Sequence, residues 1–501
     1  MKNIFNVVKM FKPTRNVFDL THDVKLSCRM GELVPIMATD VVPGDKFNIS
    51  AEALVRFQPL LAPVMHRFDV SIHYFFVPNR ILWPNWEKWI VDESSNINAP
   101  YLTLSTSNTP TTINQTYPLF GYLGIQVGGT TTANMNINAL PFAAYQAIYD
   151  EYYRDQNLIQ PVGYKLNDGA NNVTSWYTIR TRAWEHDYFT SCLPWAQKGS
   201  SVDIPIGTIS GDAEVKLNNA ATNNTTLTGT NVSPVVDYQV ASGGVGADKL
   251  FADTSGLSVG ATTINDLRKA FRLQEWLEKN ARGGTRYVES ILSHFGVKSS
   301  DARLQRPEYI TGVKTPVVIS EVLNTSGVSG SPVQGNMAGH AVSVTSGGNG
   351  SYYIEEHGWI MGIMSIMPKT AYYQGTPRKF LKLDQLDYYW PTFANIGEQP
   401  VVKNELYAGT ANGNDVFGYV PRYAEYKFEN NRVAGDLALS LDFWHEARKF
   451  SSLPSLNQAF IECTPRNDIF AVKNTQDQII CQVLNKITAV RPMPKFGTPT
   501  F

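Results

Sequence analysis

The chain has 501 residues and a net charge of −1; 43% are hydrophobic, 12% aromatic and 17% charged, low against the roughly one quarter charged of ordinary globular proteins. So neutral a body excludes one whose whole surface grips nucleic acid, while many Tyr, Phe and Trp beside few charges imply extensive buried or subunit-facing area. Cys28, Cys192, Cys463 and Cys481 form no C-x-x-C pair and read as reduced thiols, with neither a zinc site nor a disulfide framework implied.

The start, MKNIFNVVKM, is cut by Asn6 and Lys9 and is too short in its apolar run for a signal peptide, and no stretch approaches a membrane span. Residues 1–42 read as an extended arm, with Pro13 and short apolar patches at Val17-Phe18 and Leu33 to Met37. The body is taken as 43–501. Gly44 to Pro84 reads as two long strands joined as a hairpin at Pro59 to Pro63. In the second, Phe68, Val70, Ile72, Tyr74 and Phe76 share one face, while Asp69, Ser71 and His73 share the other until Phe75 and Val77 join them. Such a pair needs a second sheet to cover it, which predicts a β-sandwich.

Trp83, Trp86 and Trp89 recur every third residue in a short helix beginning near Pro84, a pattern more typical of core than of a ligand site. Residues 92–137 read as surface loop. Asn138 then caps a helix with Pro141 in its first turn and Tyr145, Ile148, Tyr149 and Tyr152 along one face. An aromatic stretch follows, Trp176 to Gln197. From Gly207 to Thr263 the only aromatics are Tyr238 and Phe251, and Thr, Asn, Gly and Ala abound. So weakly apolar a segment cannot form the main core, and its length marks it as an insertion standing out from the body.

Ile264 to Asn280 reads as a helix, and a second one carries Val288, Ile291, Leu292 and Phe295 and stops at Gly296. Strands are expected at Thr315 to Leu323, Tyr352 to Met367, Arg422 to Phe428, Ala459 to Thr464 and Gln478 to Val490, with Asn324 to Ser351, rich in glycine, as a loop. Scattered strands with long connections favour a Greek-key or jelly-roll sandwich.

Chemistry is quiet. No P-loop, G-x-S-x-G, H-E-x-x-H or G-x-G-x-x-G occurs. Glu185-His186-Asp187, Glu355-Glu356-His357 and His445-Glu446 are adjacent residues that point in different directions, and hydrogen-bonded structural clusters are the expectation. The ends say more. Lys2, Lys9, Lys12 and Arg15 lie in residues 1–15 and Lys486, Arg491 and Lys495 in 478–501, with no acid in either segment. With Phe5, Phe11 and Phe496 nearby, they could meet phosphate and stack on bases; solvated termini are the plain alternative.

The strings VPGDKFNISAEALVRFQPLLAPVMHRFDVSIHYFFVPNRILW, YDEYYRDQNL, RAWEHDYFTSCLPWAQKG, RLQRPEYI and PRYAEYKFENNRVAGDLA resemble the major capsid proteins of the Microviridae, the gokushovirus branch in particular, over nearly the whole chain. The resemblance implies an all-β fold, an eight-stranded viral jelly roll with large helix- and loop-containing insertions. It implies copies closing a T=1 icosahedral shell around the circular single-stranded DNA of a small tailless phage. It further implies, as partners, a small basic DNA-binding protein, an internal scaffolding protein and a host cell-surface receptor.

On the same resemblance 207–263, with Tyr238 and Phe251, corresponds to the protrusion at the threefold axes assigned to host attachment. No enzyme activity, cofactor or metal is implied, and the expected location is the virion, assembled in the host cytoplasm. The chain departs from the branch's common pattern in the N-terminal arm and within that insertion. Two other classes fit the residues: a β-sandwich adhesin or lectin with sugar affinity on the 207–263 loops, and a β-sandwich hydrolase with paired carboxylates.

Overall fold

The computed structural model describes residues 14–92, 96–104, 116–126, 135–203, 209–210, 214–218, 225–226, 249–253, 258–259, 263–325, 336–472 and 476–496. Its body is a sandwich of two antiparallel sheets. The strands are β1 (Asn16–Asp19), β2 (His22–Cys28), β3 (Val34–Val41), β4 (Lys46–Phe57), β5 (Phe68–Pro78), β6 (Glu308–Pro316), β7 (Val318–Leu323), β8 (Met337–Tyr353), β9 (Gly358–Pro368) and β10 (Ile479–Arg491).

In the first sheet β1 and β2 both pair with β10, and the order continues β10, β4, β8, β7; in the second it is β6, β5, β9, β3. The sheets share a strand in effect, because β6 pairs with β5 and then, past Pro316 and the buried Val317, the chain crosses over and pairs with β8 as β7. Taking β1 with β2 and β6 with β7 as interrupted single strands leaves eight, in the 2-10-4-8 and 3-9-5-6 orders of a jelly roll.

Period-two patterning builds the core between the sheets. Along β4, Phe47, Ile49, Ala51, Ala53, Val55 and Phe57 are buried and the residues between them face outward; along β10, Ile479, Cys481, Val483, Ile487 and Ala489 do the same. They meet Phe68, Val70, Ile72, Tyr74 and Phe76 of β5. One polar group spans the layers: Asn485, fully buried on β10, accepts from Tyr74 Oη (2.7 Å) and donates to the Ile36 carbonyl (2.9 Å).

Phe75 and Val77 point the other way, into a second core roofed by described residues between 79 and 180. There lie α1 (Trp86–Val91) and α2 (Leu140–Ile148), the latter buried on every side and joined by Phe120, Trp176 and Tyr177. A sheet covered on both faces explains why the alternation along β5 breaks down at its end. A third cluster, with Tyr188, Phe189, Tyr372, Leu406, Phe417 and Phe460, packs beside the 398–402 and 416–421 hairpin. All four cysteines are buried and free.

The chain divides into two compact units, residues 197–282 forming the second. It holds strand Glu214–Asn218 between Thr225–Thr226 and Lys249–Asp253, the pair Ile209–Ser210 with Ser258–Val259, and the helix α3 (Ile264–Arg282). Residues 207–263 fall inside it. Back in the first unit, α4 (Tyr287–Phe295) ends at Gly296, whose φ is +69°.

Several expectations are corrected. β4 and β5 are not a hairpin: each pairs with other strands, and they face one another across the core. The ten-residue link between them, with Pro59 and Pro63, carries the chain from one sheet to the other rather than turning tightly. Within 1–42, residues 16–41 supply β1, β2 and β3, so an arm is left only before residue 16, and 1–13 lie outside the described residues. Segment 92–137 includes one strand and part of another, Tyr101–Leu104 and Met135–Asn138, which pair, and the buried Leu119 and Phe120. Residues 424–426 form a 3-10 turn and 458–461 a helical turn instead of strands.

The supposed glycine-rich loop contains most of β8, the longest strand described. Its glycines serve close approach and a bulge: a Cβ on Gly339 would lie 2.4 Å from the Ala62 carbonyl, and Gly347 and Gly348 have φ of +144° and +71° where the register against β4 shifts. Gly348→Ala should therefore cost about 1–2 kcal/mol in chemical denaturation. A loss below a few tenths would place the bulge under no backbone constraint.

Candidate functional site

Antiparallel pairing of β1 with β10 sets Asn16 opposite Arg491, and Asn16 Nδ2 donates to the Met493 carbonyl (2.7 Å). The sandwich thereby brings residues 14–15 and 491–496 to one corner. Arg15 is exposed, 3.3 Å from Tyr353 Oη and 5.6 Å above that ring. Lys495 is exposed, its Nζ 6.0 Å from the Phe496 ring centroid. Lys486 stands on the outward face of β10, paired with Glu52 of β4, and lines a groove of about 870 Å³ with Asn48, Asn349 and Thr488.

Arg491 is placed differently. Its Nε and Nη2 both donate to Asp45 Oδ2 (3.0 and 2.9 Å), and Asp45 is fully buried; Nη2 also reaches the Asp40 carbonyl (2.9 Å). That guanidinium neutralises a carboxylate of the fold. Lys2, Lys9, Lys12 and Tyr238 lie outside the described residues, and Phe251 sits on a strand of the second unit opposite Lys216.

The acidic and histidine clusters diverge. Glu185 pairs with Lys314 and Lys369, which also hold Asp69 (3.1 and 2.9 Å). Asp187 turns inward, accepting from the amides of Phe189 (2.8 Å) and Thr190 (2.7 Å) and from Tyr372 Oη (2.7 Å). Glu356 holds Arg80 (3.0 Å), and Glu446 is buried against the Arg466 amide (3.0 Å), where burial raises its carboxyl well above the usual range. Among the described residues no group of three or more His, Cys, Asp or Glu is placed to hold a metal ion, and no helix is long and apolar enough to cross a membrane.

Sequence reading missed a broad apolar surface. Leu383 is 95% exposed, Phe380 66%, Leu386 56% and Trp390 50%, and Tyr426 adds 54%. It is held from beneath. Lys382 Nζ lies 3.7 Å from the Tyr426 ring centroid and 2.9 Å from Glu425, and Tyr389 packs edge-on against Tyr423 (4.9 Å). Monomeric proteins rarely leave a large apolar surface of this kind uncovered. The sequence signal was the density of aromatics in LDYYWPTF, which follows neither helical nor strand period.

A jelly roll wrapped in long insertions and presenting such a surface is built as a subunit that packs against others. The chain belongs to the Phage_F family, Capsid protein (F protein), whose profile matches residues 7–501. It is 34% identical to "Capsid protein VP1" of Bdellovibrio phage phiMH2K, covering 97% of this chain and 95% of that one. It is 32% identical to "Capsid protein VP1" of Chlamydia phage 1 (100% and 98%) and 30% identical to that of Spiroplasma virus 4 (99% and 97%). It is thus a structural protein of a gokushovirus-like Microviridae phage, a major capsid protein of the virion rather than an enzyme, and its partner is first of all itself.

Proposed function

We propose that copies of this chain close a T=1 icosahedral shell around circular single-stranded DNA. Assembly takes place in the host cytoplasm with an internal scaffolding protein, and a small basic protein helps to condense the DNA. Insertion 207–263, with Tyr238 and Phe251, stands outward to meet a host receptor. The observation that carries the reading is the exposed apolar surface at 380–390 with Tyr426, which a capsid subunit covers with its neighbours. A body of low net charge packs in many copies without strong self-repulsion.

Purified chain, with scaffolding protein supplied where closure needs it, should sediment as shells visible by electron microscopy. Leu383→Glu with Trp390→Glu should leave a folded subunit, judged by circular dichroism, that sediments as monomer. Shells at the original yield would remove this surface from the contact.

The convergence of Arg15 and Lys495 supports an inward, DNA-facing corner, to which Lys2, Lys9, Lys12 and Lys486 are also assigned. Arg491 is reached from the same corner but is held by Asp45. Replacing the other six with Gln should leave shells forming while packaged DNA, quantified from purified particles, falls severalfold. Unchanged packaging would remove the assignment.

A further inference from the structure

The first sheet ends in an edge that its own strands leave open. β7 pairs with β8 on one side only. Asn324 donates to the Asn336 carbonyl, and Gly339 of β8 exchanges both of its backbone bonds with Leu60 on the far side. Hydrogen-bonded pairs alternate along an antiparallel ladder. Val318, Ser320 and Val322 are therefore bonded to β8, while the N–H and C=O of Ile319, Glu321 and Leu323 point out of the sheet. Among the described residues these groups have no partner. Natural edges are blunted by lysine, proline or a bulge. β7 has neither Lys nor Pro, Glu321 is its only charge, and its register against β8 runs unbroken. Ile319 packs toward the core, so the exposed Val318 and Val322 stand on the outer face.

A groove of about 990 Å³ runs beside that edge. Ile319, Ser320 and Glu321 line it, together with Met65, Arg67, Arg432 and Trp444. Its cations divide. Lys369 is held by Asp69 and Glu185. Arg67 and Arg432 are exposed and make no ion pair among the described residues. A strand added to β7 would set one row of side chains beside Val318 and Val322 and the other in the groove, within reach of free guanidiniums. Phosphate suits the groove less well, because Met65, Ile319 and Trp444 are apolar walls and Glu321 would repel it. A second copy pairing through its own β7 would supply one carboxylate, Glu321, against two guanidiniums.

We propose that β7 and this groove capture an extended acidic peptide of another protein as an added strand. Carboxylates on alternate residues face Arg67 and Arg432, and apolar side chains between them lie beside Val318 and Val322. The site shares no residue with the surface at 380–390, so its failure and the failure of the capsid reading are told apart.

The test follows the fluorescence anisotropy of a labelled peptide, TVEVEVT, titrated with unassembled full-length chain. It should bind with a Kd below about 1 mM, and TVKVKVT should not. Two N-methylated versions, one at every valine and one at both glutamates, should differ: one set of methyls abolishes binding and the other leaves it, because only alternate N–H groups meet β7. Glu321→Pro removes an outward N–H and no bond to β8, and should weaken binding by about fivefold or more. Arg67→Gln with Arg432→Gln should do the same. No binding at about 1 mM, the same result from both methylated peptides, or binding that neither variant alters overturns the proposal. So does displacement of the peptide by a thymidine oligonucleotide, or self-association of the chain that Glu321→Pro abolishes.

Discussion

Replacing Arg491 with Met should destabilise the sandwich by about 3–5 kcal/mol, the range found when one partner of a buried ion pair is removed. Asp45 is fully buried and receives the Val42 amide (3.1 Å) besides the two guanidinium bonds, while its other oxygen has no partner. Without Arg491 its charge is stranded in the turn before β4. Arg491→Lys should recover only part of the loss, since an ammonium cannot make the two-pronged contact, and Asp45→Asn together with Arg491→Met should be milder than Arg491→Met alone. Urea denaturation of the full chain reads all three. A loss under about 1 kcal/mol would mean that the pair behaves as a solvated surface bridge. The result also separates this arginine from the basic residues around it: its loss should fail at folding, theirs at packaging.

Acid should weaken the body through two histidines. Burial, with cationic neighbours adding to it, pushes both His66 and His73 down to about 4. His66 Nε2 is bonded at the Lys369 carbonyl (2.6 Å) and His73 Nδ1 at Tyr153 Oη (2.7 Å). Their pKa is lower folded than unfolded, so the unfolded chain takes up protons first. Their contribution is full above about pH 6.5 and is lost as pH falls toward 4. Allowing for their partial exposure, each is worth about 2 kcal/mol.

Buried carboxyls act in the opposite sense. Burial raises Glu405 and Glu446, which gain on acidification, so the raw pH profile mixes the two effects. The difference between the parent chain and His66→Gln with His73→Gln isolates the histidines. Between pH 7 and 4.5 the parent should lose about 2–4 kcal/mol more than the variant. Parallel profiles would show that the two rings are protonated in the native state as readily as in solution.

The strands that carry the core were legible where one face is dry and the other wet. β4, β5 and β10 announce themselves by alternation, and the layer above β5 accounts for Phe75 and Val77 on its polar face, an inference not drawn from the sequence. α3 and α4 were legible from helical spacing and a terminal glycine. β8 was hidden because its glycines answer to Ala62 and to Thr311, contacts no local rule contains. Partner choice was hidden for the same reason: Arg491 meets Asp45 across 446 positions, and its charge alone read as a site for phosphate. Nor can composition say which aromatics stay outside. Leu383 and Trp390 differ from Phe142 only in what the fold lays over them.

The passage of one strand from layer to layer at Pro316 and Val317 has a mechanical consequence. A pull on one leaf is carried into the other by covalent backbone as well as by interleaved side chains, so the leaves cannot slide apart at that edge.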